Sequence, residues 1–190
     1  MSRHEIMLTG SGGQGMILAS IILAQAAILE NKNAAQSQSY GPEARGGKCK
    51  AELIVSDSFI RFPRVTNPTF ILALTQSSLD NYTEGISGKC IVMADESLKV
   101  PYWLNPDQVI RVPVLDTARS RVGKLFTANI VAVGAINKVL NIAGWDNLKK
   151  AVLMHIPEKT EEINIKALKA GEMMLCSYQP APSAERLLIA

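Results

Sequence analysis

The sequence predicts an α/β domain: three layers around a mixed, largely parallel sheet, with one β-hairpin added. Three observations lead there. Short apolar runs alternate with longer helical stretches along the chain, the pattern of strand–helix units. Two of the runs, 70–74 and 90–94, are continuously apolar, as strands buried on both faces require. A glycine turn joins the first apolar run directly to the first helical stretch.

Residues 6–8 form the first strand and 16–30 the first helix; 34–37 give a short second strand. Residues 39–48, rich in glycine, proline and charge, read as a loop. Residues 51–55 and 58–62 read as two strands around Ser56-Asp57, the added hairpin. A buried parallel strand follows at 70–74, a short helix at 77–82, and further strands at 90–94 and 109–114. Beyond Asp116 the chain turns helical. Asp116 is placed as the N-cap of 117–122. Residues 126–140 form a helix that is apolar over much of its circumference. Asp146 caps a helix over 147–155, which Pro157 ends, and 158–174 is the last long helix. The domain is expected to span 1–176. Residues 177–190 are expected to be a C-terminal tail whose Leu187-Leu188-Ile189 docks on another surface.

Composition narrows the function classes. With 190 residues, 47% hydrophobic and 19% charged, the chain can bury a substantial core and is not of the disordered class. A net charge of +3 is too mild to argue for nucleic acid. Cys49, Cys90 and Cys176 contain no C-x-x-C pair, which excludes an iron–sulfur or zinc site built from local cysteine motifs and gives no sign of a disulfide framework. No signal peptide is visible before the first strand, and the apolar stretch 16–29 falls short of the ~20 residues of a membrane span. The expectation is a soluble cytoplasmic protein that binds neither nucleic acid nor membrane.

The motif Gly10-Ser11-Gly12-Gly13-Gln14-Gly15 matches G-x-G-x-x-G. Its glycines permit positive φ and close backbone approach. The helix after it presents free N–H groups and a positive dipole end, together an anion site. A dinucleotide fingerprint also needs an acid near the end of the second strand. Gln36-Ser37-Gln38-Ser39 stands there, and Glu30 lies at the end of the first helix. A P-loop fails as well, since no Lys-Ser or Lys-Thr comes after the glycines. The other reading of the loop is a tight packing turn without ligand. A second segment, from Ser39 and Tyr40 through Arg45, Gly46 and Gly47 to Lys48, falls at the same carboxyl edge of the sheet, where open α/β sheets bind ligands. Arg45 can pair bidentately with a carboxylate or phosphate, Gly46-Gly47 allow close approach, and Tyr40 offers a ring and a hydroxyl. Alternatively this is a solvated loop in which Glu43 and Arg45 pair locally.

His4 and His155, the only histidines, are placed in structural roles, with His155 at a helix end whose dipole favours its cation. Cys49 is either a weakly activated thiol beside the basic loop or a half-buried structural residue. Asn129, inside an apolar helix, needs a partner, in the glycine loops or on another subunit. No G-x-S-x-G elbow, nucleophile–base pair or metal ligand set is visible. No catalytic and no metal residue is assigned, which favours a subunit that completes a site made elsewhere.

The glycine motif followed by Gln38-Ser39-Tyr40-Gly41-Pro42-Glu43-Ala44-Arg45-Gly46-Gly47 resembles the gamma subunit of 2-oxoacid:ferredoxin oxidoreductases, in the variant of the 2-oxoglutarate type. The resemblance covers roughly residues 3–175. It implies a complex that oxidatively decarboxylates a 2-oxoacid, joins the acyl group to coenzyme A and reduces ferredoxin. Thiamine diphosphate, magnesium and [4Fe-4S] clusters would sit on the other subunits, none being bound by this chain alone. The implied partners are alpha, beta and ferredoxin-like delta subunits, with ferredoxin as electron acceptor; the isolated chain is compatible with a homodimer. Gly10, Gly12, Gly13, Gln14, Gly15, Ser39, Tyr40, Arg45, Gly46 and Gly47 would line the coenzyme A side of an inter-subunit cleft. Arg45 and loop N–H groups would hold an anionic part of coenzyme A or substrate. Two other functions are weighed: a stand-alone nucleotide-binding oxidoreductase, against which the missing ribose acid stands, and a purely structural scaffold subunit.

Overall fold

Side-chain alternation along β1 (Arg3–Ser11) sends Ile6 and Leu8 to one face of a sheet and Met7 to the other. The computed structural model describes residues 2–40 and 48–175, and within them the same alternation packs apolar side chains on both faces of six strands. The order is β2-β3-β1-β4-β5-β6, with β2 at Asn33–Tyr40, β3 at Lys48–Ser56, β4 at Phe70–Ala73, β5 at Ile91–Asp95 and β6 at Val109–Val112. β1, β4, β5 and β6 run parallel; β3 lies antiparallel between β1 and β2. The sheet is therefore mixed and mostly parallel, as expected.

One face carries α1 (Met16–Leu29), α4 (Ala128–Leu140), α5 (Trp145–His155) and α6 (Glu161–Met174) over Ile6, Leu8, Leu53, Phe70, Leu72 and Met93. The other is covered by α2 (Gln76–Thr83) and the connection between β3 and β4, over Met7, Ile71, Ala73, Val92 and Ala94. β4 and β5 are buried throughout, which explains their unbroken apolar runs. No helix among the described residues is long and apolar enough to cross a membrane. The tail 177–190 and Cys176 lie outside the described residues.

The hairpin is not where the sequence placed it. Residues 58–62 form no strand; the hairpin joins β2 to β3, whose ladder runs from Asn33–Ser56 to Tyr40–Cys49. The reason is competition for pairing. β3 has β1 on one side over nine residue pairs and β2 on the other, so no ladder edge of β3 remains for 58–62. That segment instead becomes a strap tied to β1 through side chains. The Ser2 N–H and hydroxyl donate to Asp57 Oδ2 at 2.7 and 3.0 Å. The N–H groups of Thr66 and Asn67 donate to Glu5 Oε2 at 3.0 and 3.2 Å.

Two expected caps are also corrected. Helical geometry begins at α3 (Val114–Asp116) and continues as a π-helical turn over Thr117–Val122, so Asp116 lies inside it and makes no capping bond. The helix start is instead held by the buried Asp95 at the end of β5, whose Oδ2 accepts from the Leu115 N–H at 2.9 Å. α5 begins after Gly144, with Asp146 in its first turn. Its anchor is Glu30, whose Oε1 accepts from the Gly144 N–H at 2.7 Å and the Asn147 amide at 2.9 Å. Those bonds, Asn147 first, hold the Glu30 carboxyl below its ordinary range.

α4 is buried on nearly every side, and α6 crosses it at Gly134 and Gly171. A Cβ on Gly171 would run into the Val131 carbonyl oxygen, and one on Gly134 into that of Leu168. Neither obstacle can rotate away. Gly171→Ala is expected to cost about 1–3 kcal/mol, read as a melting temperature lower by roughly 2–4 °C per kcal/mol. The strap anchor gives a pH prediction. Burial would raise the Glu5 carboxyl, but the Arg3 guanidinium and the Asn67 and Thr66 N–H groups together hold it below 4.5. A depressed folded pKa contributes stability above the unfolded pKa and loses it as pH falls through the folded value. Chemical denaturation of Glu5→Gln should therefore show a deficit at pH 7 that closes as acidification carries the pH through the lowered folded pKa of Glu5.

Candidate functional site

β1 ends at Ser11, and three glycines shape the turn into α1, each for a different reason. Gly10 is a regular strand residue paired with Cys49, yet the Gln14 side chain folds back over it, and a Cβ there would meet Gln14 Oε1. That oxygen accepts from the Ser11 N–H at 2.8 Å, while the Gln14 N–H donates to the Ser11 carbonyl at 3.2 Å. Gly13 and Gly15 hold φ of 92° and 73°, which side chains disfavour. Gly13 has no atom within 4 Å of where its Cβ would lie, so the crest of the loop is open. Gly15 opens α1, and its Cβ would run into the side chain of Asn129.

Asn129 is buried on α4 and faces the glycine loop, one of its two expected places; its Oδ1 accepts from the Ile130 N–H at 3.0 Å. No side chain caps α1, and its first turn holds no acid. The first turn of a helix has no internal partners for its N–H groups, so α1 presents donors and the positive dipole end at this edge. The carboxyl end of β2 is Ser39-Tyr40 and carries no acid; Gln36, in the middle of the strand, donates from Nε2 to the Ser20 hydroxyl on α1 at 3.1 Å.

β2 runs parallel to β1, since both oppose β3, so its carboxyl end reaches the same edge. Tyr40 pairs with Cys49, and Lys48 with Ser11, which sets both ends of the second loop beside the first. β2 and β3 extend further into the expected loop than the sequence suggested. Ser39 and Tyr40 belong to β2, while Arg45, Gly46 and Gly47 lie outside the described residues.

A cleft of about 360 Å³ opens against Gly13 and Gln14. Its other walls come from Leu115 on α3, Arg119 on the π-helical turn, Leu125 and Phe126 just before α4, and Ala128 at its start. Leu125 and Phe126 are exposed, and Arg119 pairs with no carboxylate among the described residues. An arginine and an aromatic face beside the glycine turn that leads into α1 suit a ligand that is anionic at one end and apolar at another. Sequence reasoning missed Arg119, Leu125 and Phe126. It placed Phe126 inside the helix, but α4 begins at Ala128 and leaves Leu125–Thr127 as a 3₁₀ turn. The available signal was the basic run Arg119-Ser120-Arg121 with Lys124, immediately before two large apolar residues.

Neither histidine nor either described cysteine lines this cleft. Burial in the core pushes the Cys49 thiol up, and Cys90 to about 12, so Cys49 is the structural residue of the two readings. Burial lowers His4, while His155 lies in the last turn of α5 as expected. Among the described residues no group of His, Cys, Asp or Glu is arranged to hold a metal ion. What the cleft can do chemically is bind and orient.

The Gly15 junction yields a prediction. Gly15→Ala adds about 1–2 kcal/mol of backbone strain to an overpacking cost of about 1–3 kcal/mol against Asn129. Asn129→Ala in the same chain should relieve the second part and leave the first. A denaturant double-mutant cycle reads this as a non-zero coupling energy.

The comparisons with known proteins agree with this architecture. A family model described as pyruvate ferredoxin/flavodoxin oxidoreductase matches residues 5–172. The 2-oxoglutarate synthase subunit KorC of Methanocaldococcus jannaschii is 41% identical over 184 residues, 89% of this chain and 92% of that protein. The keto/oxoacid ferredoxin oxidoreductase gamma subunit of Geobacter sulfurreducens PCA superposes with a TM-score of 0.81 at 38% identity, over 92% of this chain and 97% of that one. The 2-oxoglutarate:ferredoxin oxidoreductase of Magnetococcus marinus shares the fold, with a TM-score of 0.82 at 18% identity, over 95% of this chain but 32% of that one. The chain therefore belongs to the pyruvate ferredoxin/flavodoxin oxidoreductase family, among its gamma-type subunits.

Proposed function

We propose that this chain is the gamma subunit of a 2-oxoglutarate:ferredoxin oxidoreductase and forms the coenzyme A side of that complex's active site. The observation that carries the reading is the near full-length match to the 2-oxoglutarate synthase subunit KorC at 41% identity. The cleft supports it: it offers recognition groups and, among the residues lining it, no nucleophile or acid–base pair. The substrate class is an anionic 2-oxoacid, and the acceptor of its acyl group is coenzyme A. Thiamine diphosphate, magnesium and [4Fe-4S] clusters, held by alpha, beta and ferredoxin-like delta subunits, supply decarboxylation and electron transfer to ferredoxin. A thioester-forming coenzyme carries phosphates and an adenine ring, which correspond to the two chemistries of the cleft.

The chain's own contribution is positioning. The N–H groups at the start of α1 and the Arg119 guanidinium are donors for phosphate oxygens. Phe126 and Leu125 offer apolar area that excludes water. The proposed site includes Gly10, Gly12, Gly13, Gln14 and Gly15, with Ser39, Tyr40, Arg45, Gly46 and Gly47 of the second loop. The domain is taken as 1–176, with 177–190 as a docking tail.

Arg45→Ala in the assembled complex should raise KM for coenzyme A by about tenfold, the effect of losing one charge-assisted contact, with little change in kcat. An unchanged KM with normal assembly would assign the loops to packing alone and favour a scaffold. Tight nicotinamide binding by the isolated chain would instead favour a stand-alone oxidoreductase.

A further inference from the structure

The strap between β3 and β4, residues 57–69, is fixed at both ends and bare in the middle. Asp57 holds one end to Ser2. Glu5 holds the other through Thr66 and Asn67, and Val65 packs on the core beside Met7 and Ile71. Between these anchors Phe59 is 80% exposed and Phe62 57% exposed. Arg61 and Arg64 are exposed too and pair with no carboxylate among the described residues. A secured segment presenting two phenylalanines and two such arginines has the composition of an interface centre, where aromatic residues and arginine concentrate.

A second observation adjoins it. Arg64, Ser37, Lys50 and Glu52 line a pocket of about 210 Å³ between the strap and the β2–β3 hairpin. Glu52 is already engaged: Lys50 Nζ lies 2.6 Å from Oε1, and the Ser37 hydroxyl donates to Oε2 at 3.1 Å. Arg64 is therefore left as uncompensated positive charge at the pocket wall. A carboxylate entering from outside would find a guanidinium ready for a bidentate pair.

The geometry points to this strap as a docking surface for another subunit of the oxidoreductase complex, one that presents an apolar patch for Phe59 and Phe62 and a carboxylate side chain for the Arg64 pocket. This rests on the subunit reading above. It adds a face separate from the glycine-loop cleft, because the strap lies on the side of the sheet opposite α1, with Met7 and Ile71 rather than Ile6 and Leu8.

The test uses the full chain with purified alpha, beta and delta subunits. Two variants, Phe59→Ser with Phe62→Ser, and Arg61→Glu with Arg64→Glu, change exposed side chains only. Melting of the isolated chain should stay at the parent value. Association, followed by sedimentation velocity, should weaken by at least about tenfold in each variant. The charge-reversed pair should respond to salt far less than the parent does. Assembly at parent affinity in both variants would overturn the docking surface while leaving the subunit reading intact. So would variants that abolish only self-association of the isolated chain, which would assign the strap to contacts between copies. Failure of the parent chain to associate at all would overturn the subunit reading and the docking surface with it.

Discussion

The structure depends on how β1 is paired. On one side it meets antiparallel β3 from Arg3 to Ser11; on the other it meets parallel β4. That arrangement places the ends of β1 and β2 at one edge, because both run against β3. The glycine turn, the start of α1 and the second loop all hang from that edge. It also gives β3 two neighbours, so the chain beyond it can only cross the sheet face as a strap. One register thus positions both the cleft and the surface proposed for docking.

The glycine loop shows how little of a motif's meaning lies in its pattern. Gly10 makes room for the Gln14 side chain, Gly13 supplies a conformation, and Gly15 supplies a conformation and contact with Asn129. A dinucleotide site would add an acid at the end of β2; that strand ends in Ser39-Tyr40, and its mid-strand Gln36 is tied to α1. Glu30, the nearest acid in the sequence, anchors α5 at the other end of α1. The groups that remain at the cleft recognise and orient. This is the division of labour expected of a subunit whose catalytic chemistry lies on its partners.

Much of the fold was legible because the strongest signals were local. The strand–turn–helix from β1 to α1 and the buried runs of β4 and β5 needed no distant information. What failed depended on residues far apart. The run Phe59-Ile60-Arg61-Phe62 has strand-like composition, but pairing is decided by what already flanks β3. Asp116 and Asp146 have capping chemistry, yet Asp95 and Glu30 reach those helix starts from other elements. The cleft was half legible: its glycine wall is a contiguous motif, whereas Arg119 and Phe126 join it only once α3 and α4 pack beside α1. The second loop's anchors are placed at the expected edge, and Arg45 itself lies outside the described residues.

The central claim is that this chain completes an active site without possessing one. The most direct measurement is ferredoxin reduction driven by 2-oxoglutarate and coenzyme A, with this chain alone, with the alpha, beta and delta subunits alone, and with all four together. The account predicts no turnover from the chain, little from the other three, and full turnover when they are combined. Turnover by the isolated chain, or full turnover by the others without it, would contradict it.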